Sequence, residues 1–99
     1  MNEPYIIDTA VVATTFDGLT IKKIFNHQAE VLLISLEKGS TFPEHQSPRN
    51  ALLQMLEGEI VFHMDHKALN MKGLEGFQIP SKETHSVYAV QNSKFLIIR

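Results

Sequence analysis

Residues 51–64 read Ala-Leu-Leu-Gln-Met-Leu-Glu-Gly-Glu-Ile-Val-Phe-His-Met. The stretch holds two apolar runs, Ala51 to Leu56 and Ile60 to Met64, separated by Glu57-Gly58-Glu59. Neither run approaches the ~12–15 residues an isolated helix needs, so both read as strands. Gly58 reads as the tip of a hairpin joining them. Alternation places Ala51, Leu53 and Met55 on one face and Leu52, Gln54 and Leu56 on the other. Both faces are apolar apart from Gln54, the pattern of a strand covered on two sides.

Outward from this stretch the same texture continues. Leu19 to Phe25, and Glu30 to Glu37 closed by Lys38-Gly39-Ser40, lie before it. Met71 to Gly76, with two glycines, and Phe77-Gln78-Ile79 leading into Pro80 lie after it. His85 to Val90 and Lys94 to Ile98, joined through Gln91-Asn92-Ser93, end the chain. Strands recurring about every 8–12 residues belong to sandwiches and barrels, and the strand-helix-strand alternation of a parallel sheet is missing. Asp8 to Ala13 offers an N-cap, but its β-branched residues and the Asp17-Gly18 turn favour a short arm. The expected fold is all-β and mostly antiparallel. One domain spans 1–99, with an N-terminal arm over 1–18, a core barrel over 30–98, and Gly39, Gly58 and Gly76 in turns.

Composition narrows the function classes. Of the 99 residues 43% are hydrophobic and 20% charged, which excludes a disordered chain. Nine basic residues face eleven acidic ones, and only Lys22-Lys23 are adjacent, so no basic stripe serves nucleic acid. The absence of cysteine excludes disulfides, thiolate metal sites and a cysteine nucleophile. Met1-Asn2-Glu3-Pro4 lacks the basic start of a signal peptide, and no apolar run nears the ~20 residues that span a bilayer. A cytoplasmic protein with no membrane and no nucleic-acid partner is expected. There is no glycine-rich phosphate loop and no Gly-x-Ser-x-Gly elbow.

The chemistry rests on histidine, of which there are five: His27, His45, His63, His66 and His85. Imidazole is a common metal ligand and acid-base group near neutral pH. His27 lies in the polar turn Asn26-His27-Gln28, and His63 and His66 flank Met64-Asp65, which reads as a solvated turn. His45 follows Gly39-Ser40-Thr41-Phe42-Pro43-Glu44 and His85 follows Pro80-Ser81-Lys82-Glu83-Thr84. Both read as strand starts after a proline-bearing turn, and in a closed barrel two such positions face one cavity. Arg49, just after Ser47-Pro48, is placed to lean over the mouth and bind a carboxylate through its forked donors.

The spacing of Gly39, His45, Gly58, Pro80 and His85, with the turn Leu56-Glu57-Gly58-Glu59, resembles the cupin superfamily over roughly residues 30–98. The resemblance implies a double-stranded β-helix, or jelly-roll barrel. It also implies a metal motif that is degenerate here. Of the family's three histidines and one glutamate, His45 and His85 remain. The second histidine falls on Ser47 and the glutamate on Ala51. The second motif's glycine falls on Lys82 and its asparagine on Ala89. The implied metal ligands are therefore His45 and His85, an incomplete set for a divalent transition metal such as Zn, Ni, Fe or Mn, and no cofactor is certain. Small residues at 47 and 51 enlarge a cavity rather than fill it. The implied ligand pocket is His45, Ser47, Arg49, Ala51, Leu53, Met55 and His85.

The leading expectation is a small-molecule-binding barrel with an apolar pocket. A weakly metal-dependent isomerase or oxygenase and a non-catalytic sensory or structural module are the alternatives. The apolar outward residues Leu52, Leu56 and Leu33 or Ile34 imply a homodimer. Alternatively, that face packs on Tyr5-Ile6-Ile7 and Val11-Val12 of the arm.

Overall fold

The computed structural model describes residues 16–99. The expected contact of Tyr5-Ile6-Ile7 and Val11-Val12 with the sheet lies outside the described residues. Nine strands are formed there: β1 (Leu19–Asn26), β2 (Glu30–Leu36), β3 (Thr41–His45), β4 (Ala51–Glu57), β5 (Glu59–Met64), β6 (Lys67–Lys72), β7 (Gly76–Ile79), β8 (His85–Ala89) and β9 (Ser93–Ile98). A five-stranded sheet has the order β1-β2-β9-β4-β7 and a four-stranded sheet the order β3-β8-β5-β6. Every pairing is antiparallel. Only the β1–β2 and β5–β6 connections stay within a sheet, and each of the others crosses to the opposite one. That winding makes a jelly roll. None of the described residues forms a helix long and apolar enough to cross a membrane.

The core is the space between the sheets. Ile34, Leu36, Leu53, Met55, Ile79 and Phe95 of the larger sheet meet Ile60, Phe62, Met71, Val87 and Ala89 of the smaller. Alternation decides which side chains enter. In β4, Ala51, Leu53 and Met55 are buried while Leu52, Gln54 and Leu56 are half-buried, as the sequence pattern requires.

The connection at Gly58 differs from its expected form. β4 pairs with β7 and β9, whereas β5 pairs with β6 and β8, so Gly58 is a corner between sheets and not a hairpin tip. Its φ is +89°, and a Cβ there would lie 2.6 Å from Ser93 Cα. Ser93 occupies the space inside the corner, where its Oγ accepts from Glu59 N at 3.0 Å and donates to Gln91 O at 2.7 Å. Glycine is required twice over, for the left-handed backbone and for the close approach.

Other boundaries shift for local reasons. The sheet starts at β1, ahead of the expected core boundary at residue 30. The expected strand from Met71 to Gly76 is divided: β6 ends at Lys72, Gly73 turns at φ +62°, and Gly76 opens β7 instead of sitting in a turn. His45 ends β3 rather than starting a strand. Pro43 conceals that strand in the sequence, and it is tolerated because β3 is an edge, where a missing N–H removes no ladder bond.

Candidate functional site

The site begins with an irregularity in β3. Phe42 pairs with Val87 and His45 with His85, so three steps on β3 match two on β8. The extra residue is a β-bulge. Without it Phe42 and His45, an odd number apart, would face opposite ways; with it both face the interior. His85 in turn pairs with Met64 on β5. One cross-strand row therefore runs His45, His85, Met64 on the inner face of the smaller sheet.

The rings pack as a series. Phe42 stacks on His45 with centroids 4.1 Å apart and planes at 13°. His45 meets His85 edge to face at 4.2 Å. Phe62 lies over His85 at 5.5 Å, and Phe77 lies 5.2 Å beyond Phe62. The histidine pair thus joins the solvent-side edge strand to the aromatic core.

Both rings are anchored alike. His45 Nδ1 is 2.7 Å from Pro43 O, and His85 Nδ1 is 2.9 Å from Glu83 O, each a carbonyl two residues earlier. A carbonyl only accepts, so each Nδ1 carries a proton, and a ring in its neutral form presents its Nε2 lone pair at the far edge. His85 is 4% exposed. Burial pushes its pKa below the ordinary histidine value; the bond to Glu83 opposes that and the neighbouring His45 adds to it. Burial therefore favours the neutral form of His85.

This donor set does not suit a resident dication. It offers two neutral imidazoles and no carboxylate, whereas even open metal sites usually keep three protein ligands. Among the described residues no three His, Asp or Glu side chains gather to hold a metal ion.

Beside His85 an open cleft of about 580 Å³ runs between the β5–β6 turn and the β7–β8 loop. His63, Met64, Asp65, His66, Lys67 and Lys82 are among the residues lining it. Asp65, His66 and Lys82 are the non-glycine residues with left-handed backbone among those described, at φ of 51°, 59° and 65°. All three stand on this cleft; Asp65 and His66 are the two central residues of the β5–β6 hairpin, whose two-residue turn requires positive φ at both. His63, exposed and paired with Ser86, lies on the outer face and meets the cleft at its rim.

The remaining expected residues lie elsewhere. Ser47 is buried, donates Oγ to Arg49 O at 2.6 Å, and accepts a 3.5 Å contact from Arg99 Nη1. Its carbonyl accepts from Lys82 N at 2.8 Å, so Ser47 ties two loops together. Arg49 is exposed and enters this network through its backbone. Leu53 and Met55 are fully buried in the core and line neither this cleft nor the second cavity. Ala51 lines that second cavity, about 450 Å³, with Leu52, Gln78, Ile79, Pro80 and Ile98.

Arg99 plays a part that its terminal position hides. Its Nε lies 2.7 Å from Glu30 Oε1, and the two backbones exchange bonds of 2.9 and 2.6 Å. Glu30 also meets Lys23 Nζ at 3.0 Å. The bonds from Arg99 and Lys23 hold its carboxyl below the usual range. Sequence reasoning missed Phe42, Phe62 and Met64 at the histidine pair. Only Phe62 carried a readable signal, since alternation from Ile60 turns it inward.

No protein-family model matches the chain, and no curated protein is significantly similar in sequence. Solved structures are similar in fold. A cupin superfamily protein from Desulfitobacterium hafniense superposes with a TM-score of 0.84 at 16% identity, covering 99% of this chain and 90% of that one. An RmlC-like cupin from Desulfovibrio desulfuricans gives 0.82 at 19%, covering 99% and 94%. An RmlC-like cupin with a double-stranded β-helix fold from Methanocaldococcus jannaschii gives 0.75 at 19%, covering 82% and 78%. The chain is thus a cupin-type barrel. More specifically, it has the double-stranded β-helix fold of the cupin superfamily, and at these identities the likeness is one of fold.

Proposed function

We propose that this barrel binds a small molecule at the His45–His85 pair and the cleft beside it. The observation that carries the reading is the pair of Nε2 atoms. Each sits on a ring locked by its own strand, and neither has a hydrogen-bond partner among the described residues. Neither nitrogen is walled off, since the buried side-chain atom without a partner among the described residues is Ser35 Oγ, and an oriented, reachable acceptor is useful to a ligand. Phe42, Phe62 and Met64 supply the apolar contact, and the β5–β6 turn and the β7–β8 loop frame the entrance.

The test is a fragment screen on isotope-labelled protein, followed through the imidazole nitrogens. Bound fragments are expected to shift the Nε2 signals of His45 and His85 together, and to lose that effect in His85→Phe. A screen in which hits shift only residues remote from both rings overturns the reading.

The outer face of the larger sheet supports a homodimer as part of the same proposal. Val31, Leu52, Leu56 and Ile98 are half-buried there. Leu33, on the same face, is already fully buried within the chain, and Ile34 points into the core, so neither is available to a partner.

A further inference from the structure

We propose that the molecule taken by the cleft beside His85 is an organic anion, its carboxylate or phosphate group held by Lys67 and Lys82 and its apolar body laid over Met64. The inference deepens the binding reading and rests on it. Its first support is strand register. His45 pairs with His85, His85 with Met64 and Met64 with Lys67, so one row crosses all four strands of the smaller sheet. Paired residues share a face, and Met64 packs against the core, so Lys67 takes an inner-face position. Further along β6 that face belongs to Leu69 and Met71, opposite Phe62 and Ile60. The row thus ends in a cation at a position that the strand otherwise gives to apolar side chains. Lys67 is exposed, on an edge strand, and lines the cleft.

The second support is Lys82. Its φ is 65°, and the backbone is held there by Lys82 N donating to Ser47 O at 2.8 Å and Ser81 N donating to Asn50 Oδ1 at 2.9 Å. A Cβ at a left-handed position carries a steric cost that glycine avoids. Here the side chain that brings the cost is a second cation on the same cleft. Neither lysine has an ion-pair partner among the described residues, whereas Lys23, Lys94 and Arg99 all do. Three carboxylates also line the cleft, but none stands in the row: Glu44 lies unpaired in the β3 bulge, Asp65 in the β5–β6 turn and Glu83 in the β7–β8 loop. From His85 to Lys67 is two strand spacings, about 10 Å, which suits a small ring bearing one acidic group. Carboxylates and phosphates share this chemistry, and the probes below separate them.

The experiment titrates the protein, in a low-salt buffer free of phosphate, with benzoate, phenyl phosphate, benzyl alcohol and benzylamine. The amide signals of residues 64–67 and 82–86 and the imidazole nitrogens are observed throughout. At least one anion is expected to bind roughly tenfold or more tightly than the alcohol and the amine, since charge-assisted bonds to lysine are the stronger ones. Its binding should weaken as salt rises. Preference for benzoate assigns a carboxylate, and preference for phenyl phosphate assigns a phosphate. Lys67→Gln should remove most of the preference for anions, and Lys67→Arg should keep it. Lys82→Gly should weaken the anion without lowering the urea midpoint, because glycine fits the left-handed turn.

Equal binding of the alcohol, tighter binding of the amine, or a preference for anions that survives either Lys67→Gln or Lys82→Gly overturns the proposal. Anion binding that leaves residues 64–67 and 82–86 unmoved overturns it too. If neutral or cationic fragments reach the two imidazoles while no anion is preferred, the anion inference alone falls. If no fragment reaches them, the binding reading falls with it.

Discussion

His45 and His85 meet edge to face across β3 and β8, and each turns Nδ1 back to the carbonyl two residues before it. The two anchors are the same local device used twice. One ring is placed at the sheet edge and the other inside it, so a single pair couples solvent to core.

The first prediction concerns pH. The pKa of His85 in the folded protein lies below its ordinary value of 6.5, mainly through burial. The unfolded chain therefore binds the proton first as pH falls. The stability tied to this group is complete above about 6.5 and is lost on acidification until the folded His85 itself titrates. Urea midpoints measured from pH 8 to pH 5 should fall, and His85→Phe should flatten that part of the profile. An unchanged slope in the variant would place the acid sensitivity elsewhere.

Gly58→Ala should be strongly destabilising, by about 2–4 kcal/mol, from left-handed strain combined with overpacking against Ser93. Gly39→Ala carries the strain alone, since nothing among the described residues lies within 4 Å of its added Cβ. Denaturant unfolding of both should rank Gly58→Ala as the worse. Equal losses would mean that the close approach to Ser93 contributes nothing.

Ser35 is fully buried between Thr20 and Lys94, and its Oγ has no hydrogen-bond partner among the described residues. Removing an unpaired buried hydroxyl relieves desolvation and leaves almost no cavity. Ser35→Ala should be neutral or stabilising by up to about 1–2 kcal/mol. A loss of stability on calorimetry would show that the hydroxyl is satisfied in solution.

Sedimentation velocity at micromolar concentration should give the mass of a dimer, and Leu52→Glu should shift it to that of a monomer. A charge buried in a symmetric interface is met twice, once from each side. A wild-type monomer would remove the outer face of the larger sheet from consideration.

Short-range pattern was enough for much of the barrel. The run from Ala51 to Met64 reads as two strands because neither part is long enough for a helix. The inward set Ala51, Leu53 and Met55 follows from a two-residue period that holds wherever a strand is half-covered. The spacing that singles out His45 and His85 is likewise present in the chain itself. What the period leaves open is the partner of each strand. Gly58 looks like a hairpin tip because its neighbours are strands, but only tertiary packing sends β5 to the opposite sheet. The inward turn of His45 depends on a bulge that exists only when β3 meets β8. Ser47, two residues on, was drawn instead into a network with Arg99, which lies 52 positions away. Local periodicity specifies the face that a side chain takes within its strand. Pairing across the sheets is a long-range choice, settled by burial of the whole core, and it alone decided which residues stand beside the two rings.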